Sequence, residues 1–166
     1  MQTSTNPARF PSSIDLICYD FDGVMTNNRV LVLEDGTEAV FVNRGDGWAI
    51  GEIKKAGIPQ VIFSTETNPV VSTRGQKLNI PVLQGLDDKA HSLKAYAIEN
   101  RYSLEKIIYI GNDLNDIGAM NIVGCPIAPA DSHSLILDLA AVVTKSQGGA
   151  GVIRELYDIL IEGGHL

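Results

Sequence analysis

Two acidic residues, Asp20 and Asp22, lie one position apart where an apolar run ends, in residues 14–23, IDLICYDFDG. This pattern predicts a buried strand whose carboxyl end presents two carboxylates, and open α/β proteins bind their ligands at that edge of the sheet. One carboxylate could act as a nucleophile and the other could help to hold a metal ion. By itself the pair is equally compatible with a simple turn, since aspartate and glycine also end strands that way.

Three more segments place polar side chains at the ends of predicted strands. Ser64 ends one strand, Lys89 lies in the loop after another, and the acidic group GNDLND, residues 111–116, follows a third. Because parallel strands end at the same edge of a sheet, these groups can converge on Asp20 and Asp22. The prediction depends on this convergence, since any one member could be a helix cap or a solvated turn.

The chemistry that needs this set of groups is phosphoryl transfer to a carboxylate. Asp20 would attack phosphorus and hold it as an aspartyl phosphate, which divides a difficult hydrolysis into two easier steps. Attack by one anion on another needs a counter-charge, which Mg²⁺ held by oxygen ligands supplies. The Asp20 carboxylate, the Asp22 backbone carbonyl and the loop that starts at Asn112 are the predicted ligands. Ser64 and Lys89 would bind the remaining phosphoryl oxygens.

Asp22 has a second predicted task, because a carboxylic acid at this place can protonate the leaving oxygen of an alcohol. Once ionised, it can activate the water that releases phosphate from Asp20. Asp116 is expected behind these groups, where it orients Lys89 or a metal-bound water, and Asp113 is assigned a similar supporting position. The alternative for Asp113 is that it turns inward and becomes a metal ligand itself.

Strands and helices alternate along the chain, which favours a three-layer, Rossmann-like α/β fold with a mostly parallel sheet covered on both faces. One segment breaks the alternation, since two strand-like runs surround the turn EDGT and predict a hairpin within about residues 28–43. The hairpin could cover the site as a flap, pair with a neighbouring subunit, or be a plain edge feature. The predicted core strands are residues 14–19, 60–64, 80–83, 107–110, 126–128 and 141–144, the hairpin strands are residues 29–33 and 38–42, and the predicted helix caps are Asp46, Asn68, Asp88, Asn115 and Asp131.

The composition, 166 residues of which 45% are hydrophobic and 20% charged, fits one globular domain with a sizeable core. A formal net charge of -7 and a pI near 4.8 argue against nucleic-acid binding, and no basic amphipathic stretch suggests a membrane surface. The first residues are polar and contain two prolines, so we expect a flexible leader at 1–12, a single domain at 13–166 and a cytoplasmic protein.

In these motifs the chain resembles the haloacid dehalogenase (HAD) superfamily of phosphatases. The resemblance rests on DFDGVMT at residues 20–26, Ser64, Lys89 and GNDLND at residues 111–116, in that order. The hairpin directly after the first motif, the lack of room for a cap domain, and the glycine-rich tail with its helix at about residues 147–161 are similar to a small capless group. That group acts on octulosonate 8-phosphate or on nonulosonate (sialic-type) 9-phosphate, as a homotetramer in which hairpins pack centrally and a neighbour closes each site.

The resemblance also implies residues that would bind the sugar acid. Thr65 and Glu66 follow the strand-end hydroxyl, and Arg74 and Lys77 lie on the next helix, a pattern closer to the nonulosonate enzymes. In those enzymes a glutamate here and a lysine one helix away contact the sugar acid. Since about three helical turns separate Glu66 from Lys77, the lysine would reach another part of a long substrate or a neighbouring site. Alternatively, Arg74 and Lys77 form a solvated helix face.

Three further residues are candidates for the pocket because of their place beside the flap or in the tail. Arg44 and Asp46 lie between the hairpin and the first helix, although Asp46 could simply cap that helix. Arg154 could bind a carboxylate bidentately, in its own or the adjacent subunit. Its competing role is an ion pair with Asp158 one helical turn away.

Asn112 departs from the family pattern, which usually has aspartate at this position. An amide oxygen can ligate Mg²⁺ but brings no charge, so we expect weaker metal affinity unless Asp113 or Asp116 compensates. A second function therefore stays open, that of a catalytically weak oligomerisation or regulatory partner of a sugar-nucleotide (CMP-sugar acid) synthetase. A two-component receiver domain uses similar groups but phosphorylates an aspartate on its central strand, whereas the pair here lies on strand one. We predict a phosphomonoesterase acting on a phosphorylated 2-keto-3-deoxy sugar acid.

Overall fold

A computed structural model describes residues 10–166. The predicted leader, residues 1–12, therefore lies for the most part outside the described residues. The strands are β1 (Leu16–Asp20), β2 (Leu31–Val32), β3 (Glu38–Ala39), β4 (Gln60–Phe63), β5 (Val82–Leu83), β6 (Ile107–Ile110), β7 (Cys125–Ala128) and β8 (Val142–Val143). The helices are α1 (Arg44–Lys55), α2 (Pro69–Leu78), α3 (Lys89–Asn100), α4 (Ile117–Met120), α5 (Ser134–Leu139) and α6 (Val152–Glu162). Within the described range, no helix is both long and apolar enough to cross a membrane.

Six strands form one parallel sheet in the order β5-β4-β1-β6-β7-β8. β1 lies at its centre, between β4 and β6, so the carboxyl ends of β1, β4 and β6 are neighbours at one edge. The connections between strands of this sheet hold helices or the hairpin, and residues 10–166 contain no cap domain. The predicted α/β fold with a parallel sheet is confirmed.

Alternate residues of β1 face opposite helical layers. Ile17 and Tyr19 pack in the core beneath α1, α2 and α6, whereas Leu16 and Cys18 pack beneath α3, α4 and α5. All four side chains are buried. Because both faces of the sheet are covered, its strands read as almost continuous apolar runs rather than as alternating ones.

Two of the predicted helix caps occur where they were expected. The Asn68 side chain accepts a hydrogen bond from the Val70 amide, with proline at the first helical position, and the Asp88 side chain accepts one from the His91 amide. Three predictions are wrong, because the cap is in each case a neighbouring residue with non-helical backbone and a side-chain acceptor. α1 is capped by Asn43 rather than Asp46, α5 by His133 rather than Asp131, and the 3₁₀ turn at Leu114–Asp116 by Asp113 rather than Asn115.

The predicted hairpin forms, with shorter strands than expected. Its strands β2 and β3 are antiparallel and have two residues each, and an isolated bridge between Thr26 and Val42 closes its base. The hairpin is separate from the main sheet, so few of its backbone groups have a strand to pair with. One side-chain contact ties it to the neighbouring layer: Asn68 Nδ2 donates to Glu38 Oε2 at 2.9 Å.

Candidate active site

A pocket of about 270 Å³ opens at the carboxyl edge of the parallel sheet. Three of the strand ends that the sequence analysis singled out meet there, those of β1, β4 and β6. The lining residues are Asp20, Asp22, Asn28, Thr65, Asn112, Asp113, Leu114 and Asn115.

Lys89 is buried directly behind Asp20. Its Nζ lies 2.7 Å from Asp20 Oδ1 and 2.7 Å from Asp116 Oδ1. Lys89 is the first residue of α3, where the helix dipole disfavours a cation, so the two carboxylates must hold it there. Burial lowers the pKa of Lys89, but Asp20 and Asp116 outweigh burial and leave this pKa raised. The side chain is therefore an ammonium that is well placed to neutralise negative charge beside Asp20.

Asp20 is 4% exposed, and its carboxylate Oδ1 also accepts a hydrogen bond from the Phe21 amide at 2.7 Å. Burial raises the pKa of Asp20 well above its usual range, the charge of Asp116 raises it further, and Lys89 offsets part of this rise. Two buried carboxylates thus share one ammonium, which leaves an excess of negative charge. A divalent cation beside Asp20 would balance this charge and lower the pKa again.

Asp116 connects three parts of the site. Its Oδ1 accepts hydrogen bonds from Lys89 Nζ at 2.7 Å and from the Tyr109 hydroxyl at 2.8 Å. Its Oδ2 accepts from the Asn112 amide nitrogen at 2.9 Å and from the Asp113 amide nitrogen at 3.3 Å. Each carboxylate oxygen therefore has two donors, and Asp116 fixes both the ammonium and the start of the acidic loop.

The Asn112 side chain faces the two other predicted metal ligands. One terminal atom of its amide lies 3.1 Å from Asp20 Oδ2 and 2.9 Å from the Asp22 carbonyl oxygen. With nitrogen turned inward the amide donates to both oxygens, and with oxygen turned inward three oxygens meet. Neighbouring ligands of an octahedral Mg²⁺ are about 2.9 Å apart, since each Mg–O distance is about 2.05 Å. The oxygen-inward arrangement therefore fits Mg²⁺.

The loop after Asp22 is shaped by one glycine and one buried threonine. Gly23 has a φ of 82°, and a Cβ at this position would overlap the Asn112 amide, so a larger residue would strain the backbone and displace Asn112. The Thr26 Oγ1 accepts hydrogen bonds from the Gly23 and Asn28 amides at 3.2 and 3.1 Å. Asn28, which the sequence analysis missed, has a φ of 61° and lines the pocket. An asparagine pair just after the motif is a signal for such a left-handed position, since asparagine tolerates it better than most residues.

Asp22 has the environment of a general acid. Burial raises the pKa of its carboxyl group, the charges of Glu66 and Glu38 raise it further, and Lys89 lowers it in part. Its backbone carbonyl faces Asn112, and the residue is part of the pocket lining. The two parts of one residue can therefore serve the metal site and the leaving group separately.

Ser64 directly follows β4, and the Asp20–Phe63 pairing of β1 and β4 places it beside the carboxyl end of β1. Its side chain is buried, and its Oγ accepts a hydrogen bond from the Glu66 amide at 3.1 Å. A hydroxyl that accepts in this way can still donate its own proton to a phosphoryl oxygen. Like Lys89, Ser64 lies behind the pocket rather than in its lining.

Of the residues predicted to bind the sugar acid on and before α2, only Thr65 lines the pocket. Glu66 is exposed, and its Oε1 accepts hydrogen bonds from the amides of residues 67 and 68. Arg74 turns away and donates from Nη2 to the Asn43 carbonyl at 3.1 Å. Lys77 and Arg44 are exposed and lie outside the pocket lining. Substrate contacts by these four residues stay predictions.

Asp46 and Arg154 meet at the start of α6 rather than at the pocket. Asp46 is 2% exposed, and its Oδ1 accepts hydrogen bonds from the Ile153 and Arg154 amides at 3.0 and 2.9 Å. It therefore caps a helix, but that helix is α6, which is remote in sequence. Burial raises the pKa of Asp46 to about 6, although these two hydrogen bonds oppose the rise.

The Arg154 guanidinium lies 4.2 Å from the centre of the Trp48 ring, and its Nε is 3.5 Å from Asp158 Oδ1. Arg154 and Asp158 therefore form an ion pair within α6, which was the alternative prediction for Arg154. A contact with substrate in an adjacent subunit stays a prediction.

Residues 49–156 match the family of haloacid dehalogenase-like hydrolases. The chain belongs to this family. It is 32% identical to the 3-deoxy-D-manno-octulosonate 8-phosphate phosphatase of Yersinia pestis, over 90% of this chain and 81% of that protein. It is 31% identical to the Escherichia coli phosphatase of the same name, over 90% of this chain and 80% of that one. This HAD protein is therefore a phosphoric monoester hydrolase, as the sequence analysis predicted.

Solved structures of HAD proteins have the same fold. A protein assigned to the HAD hydrolases from Streptomyces avermitilis is 44% identical, with a TM-score of 0.87 over 90% of this chain and 93% of that one. The Moraxella catarrhalis 3-deoxy-D-manno-octulosonate 8-phosphate phosphatase, crystallised with magnesium, phosphate and KDO, is 26% identical. Its TM-score is 0.87 over 90% of this chain and 87% of that one.

Proposed function

We propose that this HAD protein is a Mg²⁺-dependent phosphatase of a 2-keto-3-deoxy sugar acid, either octulosonate 8-phosphate or nonulosonate 9-phosphate. The observation that carries the chemistry is the position of the Asp20 carboxylate, with Lys89 against one oxygen and the Asn112 amide against the other. The substrate class is supported by the relatives named for octulosonate 8-phosphate and by the neighbour crystallised with magnesium, phosphate and KDO.

In the first step an Asp20 oxygen attacks phosphorus, and the bond between phosphorus and the sugar oxygen breaks. Asp22 gives its proton to that sugar oxygen, which leaves as an alcohol. In the second step Asp22, now ionised, takes a proton from water while the water oxygen attacks phosphorus and frees Asp20. Lys89 and Ser64 bind phosphoryl oxygens throughout, one by charge and one by a hydrogen bond.

The metal would be held by the Asp20 carboxylate, the Asp22 carbonyl and the Asn112 amide oxygen, and when bound it supplies positive charge beside the phosphoryl group. Among residues 10–166, no three His, Cys, Asp or Glu side chains are grouped as a metal site. The proposed site is consistent with this result, because only one of its three protein ligands is a carboxylate side chain.

Replacement of Asn112 by aspartate should raise the affinity for Mg²⁺ by about tenfold, because it adds a charged oxygen ligand to the cluster. The measurement is the rate of phosphate release as a function of Mg²⁺ concentration. Asn115→Asp is the matched control, since residue 115 lines the same pocket without facing Asp20 or the Asp22 carbonyl. An unchanged Mg²⁺ dependence in Asn112→Asp would place the metal elsewhere.

The substrate is tested by kcat/KM for octulosonate 8-phosphate, nonulosonate 9-phosphate and common hexose phosphates in the presence of Mg²⁺. We expect one of the two sugar acids to rank first. A preference for hexose phosphates would overturn the substrate class and leave the hydrolase chemistry intact. Failure to release phosphate from any of them would instead favour the regulatory partner of a sugar-nucleotide synthetase.

We also propose that the hairpin packs against other copies of the chain in a cytoplasmic homotetramer. Val30, Leu31, Val32 and Leu33 are 51%, 56%, 62% and 47% exposed, and Phe41 is 76% exposed. A two-stranded hairpin is marginally stable without further packing, and large apolar side chains left exposed together in one short segment favour an interaction surface.

Val32→Lys should therefore reduce the mass of the assembly measured by light scattering after size-exclusion chromatography, because it replaces an exposed apolar side chain of the hairpin by a charged one. The wild-type chain should have about four times the mass of one copy. Ile98→Lys is the control, since Ile98 is 80% exposed on α3, which packs on the opposite core from the hairpin segment. A wild-type monomer, or equal effects of the two substitutions, would contradict the tetramer proposal.

A further inference from the structure

Tyr109 is a buried residue of β6 that lies outside the pocket lining but is joined to the site by one hydrogen bond. Its ring belongs to the core beneath α3, α4 and α5, and it has 0% exposure. Its hydroxyl donates to Asp116 Oδ1 at 2.8 Å. Burial and then the charge of Asp116 raise the pKa of Tyr109 well above its usual range, so the hydroxyl keeps its proton. None of the roles assigned to Asp20, Lys89 or the acidic loop uses this hydroxyl.

The oxygen that accepts from Tyr109 is the same one that accepts from Lys89. Without the Tyr109 hydroxyl, Asp116 Oδ1 would keep one of these two hydrogen bonds, the one from Lys89. The ammonium would then be drawn toward Asp116, since a buried carboxylate oxygen binds its remaining donor more strongly. This would move Lys89 away from Asp20, where the transferring phosphoryl group needs its charge.

Loss of the Tyr109 hydroxyl would also affect the acidic loop, through the second oxygen of Asp116. Asp116 Oδ2 accepts from the Asn112 and Asp113 backbone amides, so it holds the backbone that carries the Asn112 side chain facing Asp20. A carboxylate with two donors on each oxygen has one favoured orientation, and removal of one donor allows it to rotate. The Tyr109 hydroxyl is therefore in a position to fix the ammonium and the amide together.

We propose that Tyr109 is a positioning residue for phosphoryl transfer, whose hydroxyl fixes the Asp116 carboxylate and, through it, Lys89 and the Asn112 loop. This inference rests on the proposed function, because it assigns those groups to the binding of the phosphoryl group and of Mg²⁺.

The chain contains a close structural match for Tyr109, Tyr19, whose hydroxyl donates to a residue that has no role in the site. Tyr19 has 0% exposure on the adjacent strand β1, and its hydroxyl donates to Gln60 Oε1 at 2.7 Å. Gln60 in turn donates from Nε2 to the Ile50 carbonyl. Both tyrosines thus lose one buried hydrogen bond when replaced by phenylalanine, but only Tyr109 loses one to Asp116.

The test compares Tyr109→Phe with Tyr19→Phe. Both variants should unfold at a similarly lowered urea concentration, since each has lost one hydrogen bond and left one buried acceptor with one donor fewer. For Tyr109→Phe we expect kcat to fall about tenfold with little change in KM, because the hydroxyl acts on the transition state through Lys89. Tyr19→Phe should keep the wild-type kcat. A wild-type kcat in Tyr109→Phe, or equal losses in both variants, would overturn the inference.

A binding measurement separates this inference from the proposed function. Titration of the wild-type chain with Mg²⁺ and beryllium fluoride, a mimic of an aspartyl phosphate, should show tight binding by calorimetry. Tyr109→Phe should weaken this binding about fivefold or more, and Tyr19→Phe should leave it unchanged. Should the wild type release no phosphate from any ester yet show this difference, the proposed function fails and the positioning role stands. If Tyr109→Phe and Tyr19→Phe bind Mg²⁺ and beryllium fluoride with equal affinity, the positioning role is overturned.

Discussion

Asp20→Asn should abolish turnover, with kcat lower by about 10⁴-fold or more, because an amide cannot form the aspartyl phosphate on which both steps depend. The fold should persist, since an asparagine oxygen can still accept from the Phe21 amide and from Lys89. The substitution also leaves Lys89 with one carboxylate partner, Asp116, and so removes the excess negative charge of the pair. The measurement is kcat for an aryl phosphate together with the urea midpoint of unfolding.

Asp15→Asn is the control for this substitution. Asp15 immediately precedes β1, at the edge of the sheet opposite the pocket, and its Oδ2 accepts a hydrogen bond from the Ser103 amide at 2.9 Å. Loss of one carboxylate charge there should leave kcat unchanged. A wild-type kcat in Asp20→Asn would show that the nucleophile is another residue.

Asp22→Asn should lower kcat for alkyl phosphates, including sugar phosphates, by about 10²-fold or more, which is typical for the loss of a general acid. Aryl phosphates should be affected much less, because their leaving groups need little protonation. The substitution keeps the backbone carbonyl that faces Asn112, so the metal site is retained and the comparison isolates the carboxyl group. The measurement is the ratio of kcat values for an alkyl and an aryl phosphate.

The pH dependence of kcat tests the same role of Asp22 as a general acid in the wild-type protein. Because burial and neighbouring acids raise the pKa of Asp22, its protonated form persists to higher pH than that of an ordinary aspartate. Turnover of alkyl phosphates should therefore decline as pH rises through the raised pKa, and Asp22→Asn should remove this decline. Asp113→Asn is the control, because it replaces another acid of the pocket lining and should keep the decline with pH. Equal losses on alkyl and aryl phosphates in Asp22→Asn would mean that Asp22 acts only through the metal.

The sequence alone predicted the parallel α/β fold and most of the groups that meet at the pocket. Apolar runs of strand length followed by polar residues are local signals, and parallel strands necessarily end at one edge of the sheet. Asp20, Asp22, Thr65 and the loop at residues 112–115 therefore line one pocket, and Lys89 contacts Asp20 from behind. Three of the helix caps were predicted less well, because a cap depends on which of several neighbouring residues takes the non-helical backbone. The hairpin strands are shorter than predicted, and they form a two-stranded sheet separate from the main one.

The tertiary structure decided which long-range partner each polar side chain has. Asp46, 107 residues before Ile153, caps α6 rather than α1 or a substrate, and Arg154 lies over the Trp48 ring. Tyr109 reaches Asp116, whereas Tyr19 reaches Gln60, although both are buried tyrosines on adjacent strands. Spacing along the chain determines periodicity and strand ends, since these depend on residues a few positions apart. Partners brought together by packing depend on how whole layers meet, and no local pattern in this sequence carries that information.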